Sequence, residues 1–132
     1  MSFFINIQRT IKRAGMASYA NLNADQGADF QISVDIQDAN SDPLDLTDYN
    51  LYGQVRRTYK SENAVNFTVN KSGDATMGSI SILLSSAQTE AMKAGRYVYD
   101  VYAINSSTNQ VLKLIEGMLE IVPSVTKNIN GS

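Results

Sequence analysis

The chain of 132 residues contains no cysteine, no histidine and no tryptophan, and it has only two prolines. Without cysteine it has no disulfides, thiolate nucleophiles or cysteine-based metal sites. Without histidine it lacks the usual general base near neutral pH and the commonest metal ligand. These absences predict that the protein is not an enzyme, with no catalytic residue, no metal site and no cofactor.

Strong charge and long apolar runs are also missing. The 11 basic and 13 acidic residues give a net charge of −2, and the basic residues are scattered rather than arranged in the stripe that nucleic-acid binding requires. No apolar run approaches the roughly 18 residues of a membrane span. The basic residues near the start follow the apolar ones, the reverse of a secretory signal. We expect neither a nucleic-acid nor a membrane partner, and no targeting segment.

What the sequence does contain is alternation. Apolar residues occupy every second position from Phe30 to Ile36, the pattern of a half-buried strand. Turn-forming residues and a short bridging segment at Leu44 and Leu46 follow. Further strands are predicted at Tyr49–Arg56, Val65–Val69, Ile80–Leu84, Tyr97–Ile104 and Val111–Val122. About seven strands with regular turns predict an all-β fold, an immunoglobulin-like antiparallel sandwich of two sheets.

One short segment, from Ser85 to Ala94, favours helix instead. Ser86 is a candidate helix cap and Gly95 a candidate stop, which predicts one or two helical turns at a corner between strands. Tyr97 then opens the penultimate long strand, where immunoglobulin-like sandwiches place a tyrosine corner. We therefore predict a structural corner at Gly95 and Tyr97, with Tyr99 pointing into the core. The alternative is that both tyrosines simply pack on a sheet face.

The first 17 residues differ from the rest and are predicted to form an N-terminal arm. The arm precedes a sandwich at residues 18–126 and a polar tail at 127–132. Its apolar part is suited to strand addition at an exposed sheet edge, so we predict docking through Phe3, Phe4, Ile5, Ile7 and Arg9. Met16 leaves a second interpretation open, in which the natural start lies there.

Two groups of acidic residues are candidates for chemistry. Asp38, Asn40 and Asp42 match the first half of a calcium loop, but Pro43 stands at the sixth position and Tyr49 at the twelfth, where glycine and glutamate are needed. A turn is the better interpretation.

The second acidic group is a pair of carboxylates. Asp100 and Glu116 lie on strands that we expect to pair, and paired carboxylates can hydrolyse glycosides. Alternation places both on the solvated face, which favours a plain surface role.

Exposed aromatic residues beside carboxylates and amides also permit a binding role. Tyr52, Tyr59, Tyr99 and Tyr102 are candidates for stacking against sugar rings. A carbohydrate-binding or host-receptor-binding module is therefore the alternative to a docking module.

Several segments in order resemble a small domain of tailed-phage structural proteins. The similar segments are Asp25–Phe30, Pro43–Tyr49, Gly53–Arg56, Leu84–Thr89, Ala94–Val101, Glu116–Gly117 and Val122–Thr126. The resemblance as a whole covers about residues 19–126 and leaves out the arm. The chain resembles virion structural proteins of myovirus-like phages, including cyanophages, and the amino-terminal immunoglobulin-like domains of baseplate upper proteins. Asp48 departs from the glycine frequent there, at modest cost, because aspartate tolerates the left-handed conformation.

The resemblance implies a non-enzymatic virion protein that decorates or joins other virion proteins at the neck, baseplate, tail or capsid. It implies symmetric copies, and thus a homo-oligomer, in a particle assembled in the bacterial cytoplasm. It implies no catalytic residues.

Overall fold

The computed structural model describes residues 3–7, 18–38 and 40–126, with residues 3–7 and Ser18 described by their backbone alone. These residues form ten strands, one α-helix and one 3₁₀ turn. The strands are β1 (Phe3–Ile7), β2 (Ser18–Tyr19), β3 (Leu22–Asp25), β4 (Phe30–Asp35), β5 (Tyr49–Arg56), β6 (Val65–Asn66), β7 (Thr68–Lys71), β8 (Ser79–Leu84), β9 (Gly95–Asn105) and β10 (Val111–Val122). The helix α1 is Ser86–Ala91, and the 3₁₀ turn is Ala75–Met77.

The strands form two sheets. One has the order β1-β4-β8-β7, and the other has the order β2-β10-β9-β5-β6, with β3 also paired to β10. If β4, β5, β7, β8, β9 and β10 are taken as strands B, C, D, E, F and G, these orders reproduce the sheets of an immunoglobulin sandwich. The predicted all-β, two-sheet fold is confirmed. Among the described strands β1, β2 and β3 depart from antiparallel pairing, since β1 runs parallel to β4 and the other two run parallel to β10.

The core lies between the two sheets and follows from the alternation. Every second residue of β4 and β8 is buried, because successive side chains of a strand point to opposite faces. Burying one side chain of valine, leucine, isoleucine or phenylalanine contributes roughly 1.5–3 kcal/mol to the free energy of unfolding. The largest fully buried side chains are Ile32, Ile36, Leu46, Ile80, Ile82, Leu84, Ile115, Leu119, Ile121, Val34, Val55 and Val101.

The predicted strand Val65–Val69 is wrong as a single element. It divides into β6, which pairs with β5, and β7, which pairs with β8 in the other sheet. The chain changes sheets at Phe67, whose N–H donates to the carbonyl of Gly53 at 2.9 Å and whose side chain is buried. Because the alternation continues through the crossing, the sequence pattern contains no sign of it. This division and the three short initial strands add four to the six named predicted strands, which gives ten, whereas the predicted bridging segment at Leu44 and Leu46 is not a strand.

The helical corner is present, but its ends differ from the prediction. Ser85, not Ser86, caps α1: its hydroxyl accepts the N–H of Gln88, whose side chain in turn accepts the N–H of Ser85. This reciprocal pair satisfies two of the amide donors that a helix start leaves unpaired. The helix ends at Ala91, and Gly95 is the first residue of β9 rather than the helix stop.

Candidate functional site

Tyr97 and Gly95 come together at the start of β9. The Tyr97 hydroxyl donates to the carbonyl of Lys93 at 2.7 Å, a bond from the strand back to the corner before it, as in a tyrosine corner. The guanidinium of Arg57 lies 4.9 Å from the centre of the Tyr97 ring. At Gly95, with φ of 133°, an added Cβ would lie 2.7 Å from that guanidinium. The glycine therefore leaves room for the cation that covers the tyrosine, and the corner is structural.

Tyr99 points into the core, where its ring meets Phe67 edge-on at 5.8 Å between centroids. Its hydroxyl donates to the carbonyl of Ala20 at 2.7 Å, at the break between β2 and β3. The cross-strand partner of Tyr99 in β10 is Gly117, and a Cβ added there would collide with the carbonyl oxygen of Ala20. With its side chain only 4% exposed, Tyr99 cannot stack against a sugar, and that part of the carbohydrate hypothesis is wrong.

Four of the five predicted docking residues lie in β1. Their backbone pairs in parallel with β4, with Phe3 opposite Phe30 and Ile7 opposite Val34. Arg9 lies outside the described residues. The pairing places Phe3, Phe4, Ile5 and Ile7 at the edge of the four-stranded sheet, and their docking role stays a prediction.

The acidic segment after β4 forms a turn. One carboxylate oxygen of Asp38 accepts the backbone N–H groups of Asn40 and Asp42 at 2.9 and 3.1 Å, which is how aspartate commonly stabilises turns. Within the described ranges, no three acidic side chains converge to hold a metal ion.

The outer face of the six-stranded sheet brings the remaining candidates together. Cross-strand pairing aligns Gln54, Asp100 and Glu116 in one row, and Tyr19 of β2 extends that row. A neighbouring row contains Tyr52, Tyr102 and Lys113. The predicted neighbourhood of Asp100 and Glu116 is confirmed by the strand register. We call the part of this face between Tyr52, Tyr59 and Asp100 the tyrosine groove.

The tyrosine groove has a volume of about 420 Å³, within the range of small-molecule sites. Tyr52 and Tyr59 at its rim are 52% and 77% exposed. Tyr102, Val98 and Ile104 line it further, and Asp100 lies among them. Aromatic and apolar surface thus surrounds one carboxylate.

The charges around Asp100 are balanced. Lys113 Nζ lies 3.3 Å from Glu116 Oε1 and 5.6 Å from the centre of the Tyr102 ring. Burial acts to lower the pKa of Lys113, but the hydrogen bond to Glu116 and the contact with Tyr102 outweigh it and raise that pKa. Partial burial raises the pKa of Asp100, and so does Glu116, although Lys113 and Arg56 oppose both. Asp100 is therefore a carboxylate whose charge is poorly solvated.

One wall of the groove is held by hydrogen bonds. Arg56 Nη1 donates to the carbonyls of Ser61 and Glu62 at 2.6 and 3.1 Å, and its Nη2 donates to Gln54 Oε1 at 3.0 Å. Gln54 Nε2 then donates to Asn66 Oδ1 at 2.9 Å. Such a network fixes side-chain positions before any ligand arrives.

Sequence reasoning did not place Gln54, Arg56 or Lys113 in a site. Their alternation with inward-facing residues assigns them to the outer face of β5 and β10. What brings them beside Asp100 is the register of three strands, which no local pattern contains.

The chain is similar in fold to several solved structures. No family model and no curated protein matches the chain, and within the described residues no helix is long and apolar enough to span a bilayer. Among solved structures, InlP of Listeria monocytogenes aligns with a TM-score of 0.44 and 14% identity over 80% of this chain and 27% of InlP. The cysteine protease inhibitor EhICP2 of Entamoeba histolytica aligns with a TM-score of 0.40 and 12% identity, over 92% of this chain and 97% of the inhibitor.

One phage domain also aligns. The N-terminal domain of phage TP901-1 ORF48 superposes with a TM-score of 0.50 and 10% identity, over 91% of this chain and 98% of that domain. At such identity the likeness is one of fold: along nearly its whole length, the chain is similar in fold to an N-terminal domain of a phage protein.

Proposed function

We propose that the chain is a non-enzymatic structural module of a tailed-phage virion that docks other virion proteins. Two lines support the proposal. The sequence segments between residues 19 and 126 resemble virion domains, and the fold is similar to the N-terminal domain of a phage protein over 98% of that domain. In this proposal the module is present in symmetric copies in the particle, at the neck, baseplate, tail or capsid, and binds neither nucleic acid nor membrane.

The observation that carries the docking role is the position of β1. Its five residues pair by main chain with β4, at the edge of the four-stranded sheet. An edge strand pairs one row of main-chain N–H and C=O groups with its own sheet and presents the opposite row to another protein. Since ten residues separate β1 from β2, the segment Phe3–Ile7 is joined to the sandwich by enough chain to pair with a neighbouring molecule, roughly 30 Å when extended.

The proposal is tested by deleting residues 2–15 from the protein in an assembling phage system. We expect the truncated protein to unfold cooperatively, because the buried core residues of the described part of the chain extend from Ala20 to Ile121, yet to be absent from purified particles. Deletion of the polar tail 127–132 is the matched control and should leave incorporation unchanged. Normal incorporation of the protein without residues 2–15 would overturn the docking role of the arm.

A sharper variant keeps the length of the arm. Phe4 and Ile5 are consecutive, so replacing both by proline removes one main-chain donor from each side of β1. We expect Phe4→Pro with Ile5→Pro to reproduce the loss of incorporation, whereas Phe4→Leu with Ile5→Val, which retains main-chain pairing, should be incorporated normally.

A further inference from the structure

The tyrosine groove differs from ordinary surface in its aromatic rim. Tyr52 and Tyr59 are large rings that remain more than half exposed at the mouth of a concave region. Exposed aromatic rings present flat apolar faces at low entropic cost, because only two torsions need to be fixed. Such faces suit a ligand that has a flat apolar side of its own.

The centre of the groove contains an acceptor that lacks a donor. Among the described residues Asp100 has no hydrogen-bond partner for its carboxylate, although it is half-buried beside Tyr102 and Val98. A carboxylate in this position gains from any ligand that donates hydrogen bonds.

The same carboxylate already interacts with two cations. Arg56 and Lys113 both act on Asp100, and together with Glu116, which like Lys113 lies beside the groove rather than in its lining, the four charges of this cluster sum to zero. An incoming lysine or arginine side chain would add a third cation to this cluster. The chemistry that fits is therefore a neutral group with hydroxyl donors.

Polar groups of the wall remain available as well. Arg56 uses Nη1 and Nη2 in three hydrogen bonds, and a guanidinium has five N–H donors. Donors therefore remain for the ring or hydroxyl oxygens of a ligand, on a side chain whose position is already fixed.

We propose that the tyrosine groove binds a neutral sugar ring of a surface glycan, stacked on Tyr52 and Tyr59 with its hydroxyls donating to Asp100. A sugar ring has a face of C–H groups that packs on aromatic rings and hydroxyls around its edge, which matches both features of the groove. This activity goes beyond docking in the virion and does not depend on it.

The test is a titration of the full ¹⁵N-labelled chain, observed by amide chemical shifts, with several probes. The probes fall into three classes: neutral sugars, namely the methyl glycosides of glucose, galactose and N-acetylglucosamine; glucuronate as an anionic sugar; and a short lysine- and arginine-rich peptide as the cationic protein partner. We expect a neutral glycoside to shift amides of β5 and β9 around Tyr52 and Asp100. Shifts with the peptide alone, or sugar-induced shifts elsewhere on the domain, would overturn the proposal.

Two substitutions sharpen the result. Tyr52→Ala removes a stacking face, and Asp100→Asn removes the charged acceptor; each should weaken binding of the neutral glycoside about tenfold. Tyr19→Ala is the matched control, since Tyr19 is 53% exposed on the same sheet face but lies outside the groove. It should bind as the unaltered protein does, and binding unaffected by Asp100→Asn would exclude the assigned contact.

Discussion

The two sheets of the sandwich differ in the surroundings of one aspartate on each outer face, Asp35 on one and Asp100 on the other. In the four-stranded sheet, Ser79 donates to Asp35 at 2.6 Å, and Ser72 and Ser81 share a hydrogen bond of 2.6 Å. Its ladder between β4 and β8 runs without a shift in register. The six-stranded sheet has a bulge between Lys113 and Ile115, and the chain beside β10 is interrupted between β2 and β3.

This difference indicates which outer face of the sandwich is suited to bind a ligand. Asp35 already accepts a hydroxyl donor and has little to gain from a ligand, whereas Asp100 on the six-stranded sheet is half-buried without a donor among the described residues. Irregular strands and poorly solvated charges are typical of functional surfaces, which natural proteins retain at some cost in stability. If strand irregularity and its cost in stability are concentrated in this sheet, substitutions here should change the free energy of unfolding most.

The largest effect is expected at the irregular junction of β2, β3 and β10. Gly117→Ala would drive a methyl group into the carbonyl oxygen of Ala20, a backbone atom that cannot rotate away. We expect a loss of more than about 3 kcal/mol in the free energy of unfolding, since both strands must move apart. Chemical denaturation measures it.

Gly53→Ala provides the comparison within the same sheet. Its added methyl would meet side-chain atoms of Phe67, Val101 and Val69 at 3.1–3.2 Å, and these can shift by a few tenths of an ångström. We expect a smaller loss, about 1–2 kcal/mol. Equal losses at the two glycines would show that the junction at Ala20 is not specially constrained.

A loss of stability of intermediate size is expected at Tyr99, and it should exceed the loss at Tyr97, two residues earlier. Tyr99→Phe leaves the buried carbonyl of Ala20 without its donor, which should cost about 1–3 kcal/mol. Tyr97→Phe removes the bond to the carbonyl of Lys93, which water can replace because the site is solvated, and should cost about 1 kcal/mol or less. Thermal unfolding of both variants checks the order, and a reversed order would contradict the central position of the Ala20 junction.

Most of the fold could be predicted from the sequence, because the alternation of polar and apolar residues is a local property of each strand. The bounds Tyr49–Arg56 and Val111–Val122 were predicted as the structure has them, since polar and apolar residues mark each face. The change of sheet at Phe67 was not predicted, because a strand that crosses between sheets keeps its alternation. The pairing of β1 with β4 was missed because long-range pairing leaves no mark in either segment.

The candidate site could be predicted from the sequence only in part. The sequence indicated that Asp100 lies on a solvated face and named Tyr52 and Tyr102 as candidates for stacking, but it also named Tyr99, which is buried. Opposite faces alternate along β9, so Tyr99 belongs with Tyr97 and Val101 rather than with Asp100. The neighbours that set the charge of the groove, Arg56 and Lys113, depend on the register between strands.

The smallest effects, and the most direct comparison of the two sheets, come from one aspartate on each outer face. Asp35 accepts the hydroxyl of Ser79, so Asp35→Asn weakens a charge-assisted hydrogen bond and should lower stability at pH 7 by about 0.5–1 kcal/mol. Asp100→Asn removes a poorly solvated charge and should have the opposite sign, a small rise in Tm. Urea and thermal unfolding of both variants at pH 7 measure the two signs.

The pH dependence identifies the cause of the effect at Asp100. The folded-state pKa of Asp100 is raised above its ordinary value of 3.8, mainly by burial. Stability from this group is therefore fully present below the unfolded pKa and is lost as pH rises through the folded pKa. The advantage of Asp100→Asn should accordingly be present at pH 7 and disappear below pH about 3, where the carboxyl is neutral in both states. A constant advantage at all pH values would instead assign the gain to packing, and a loss at pH 7 would mean that Arg56 and Lys113 already make the carboxylate stabilising, which would remove the contrast between the two faces.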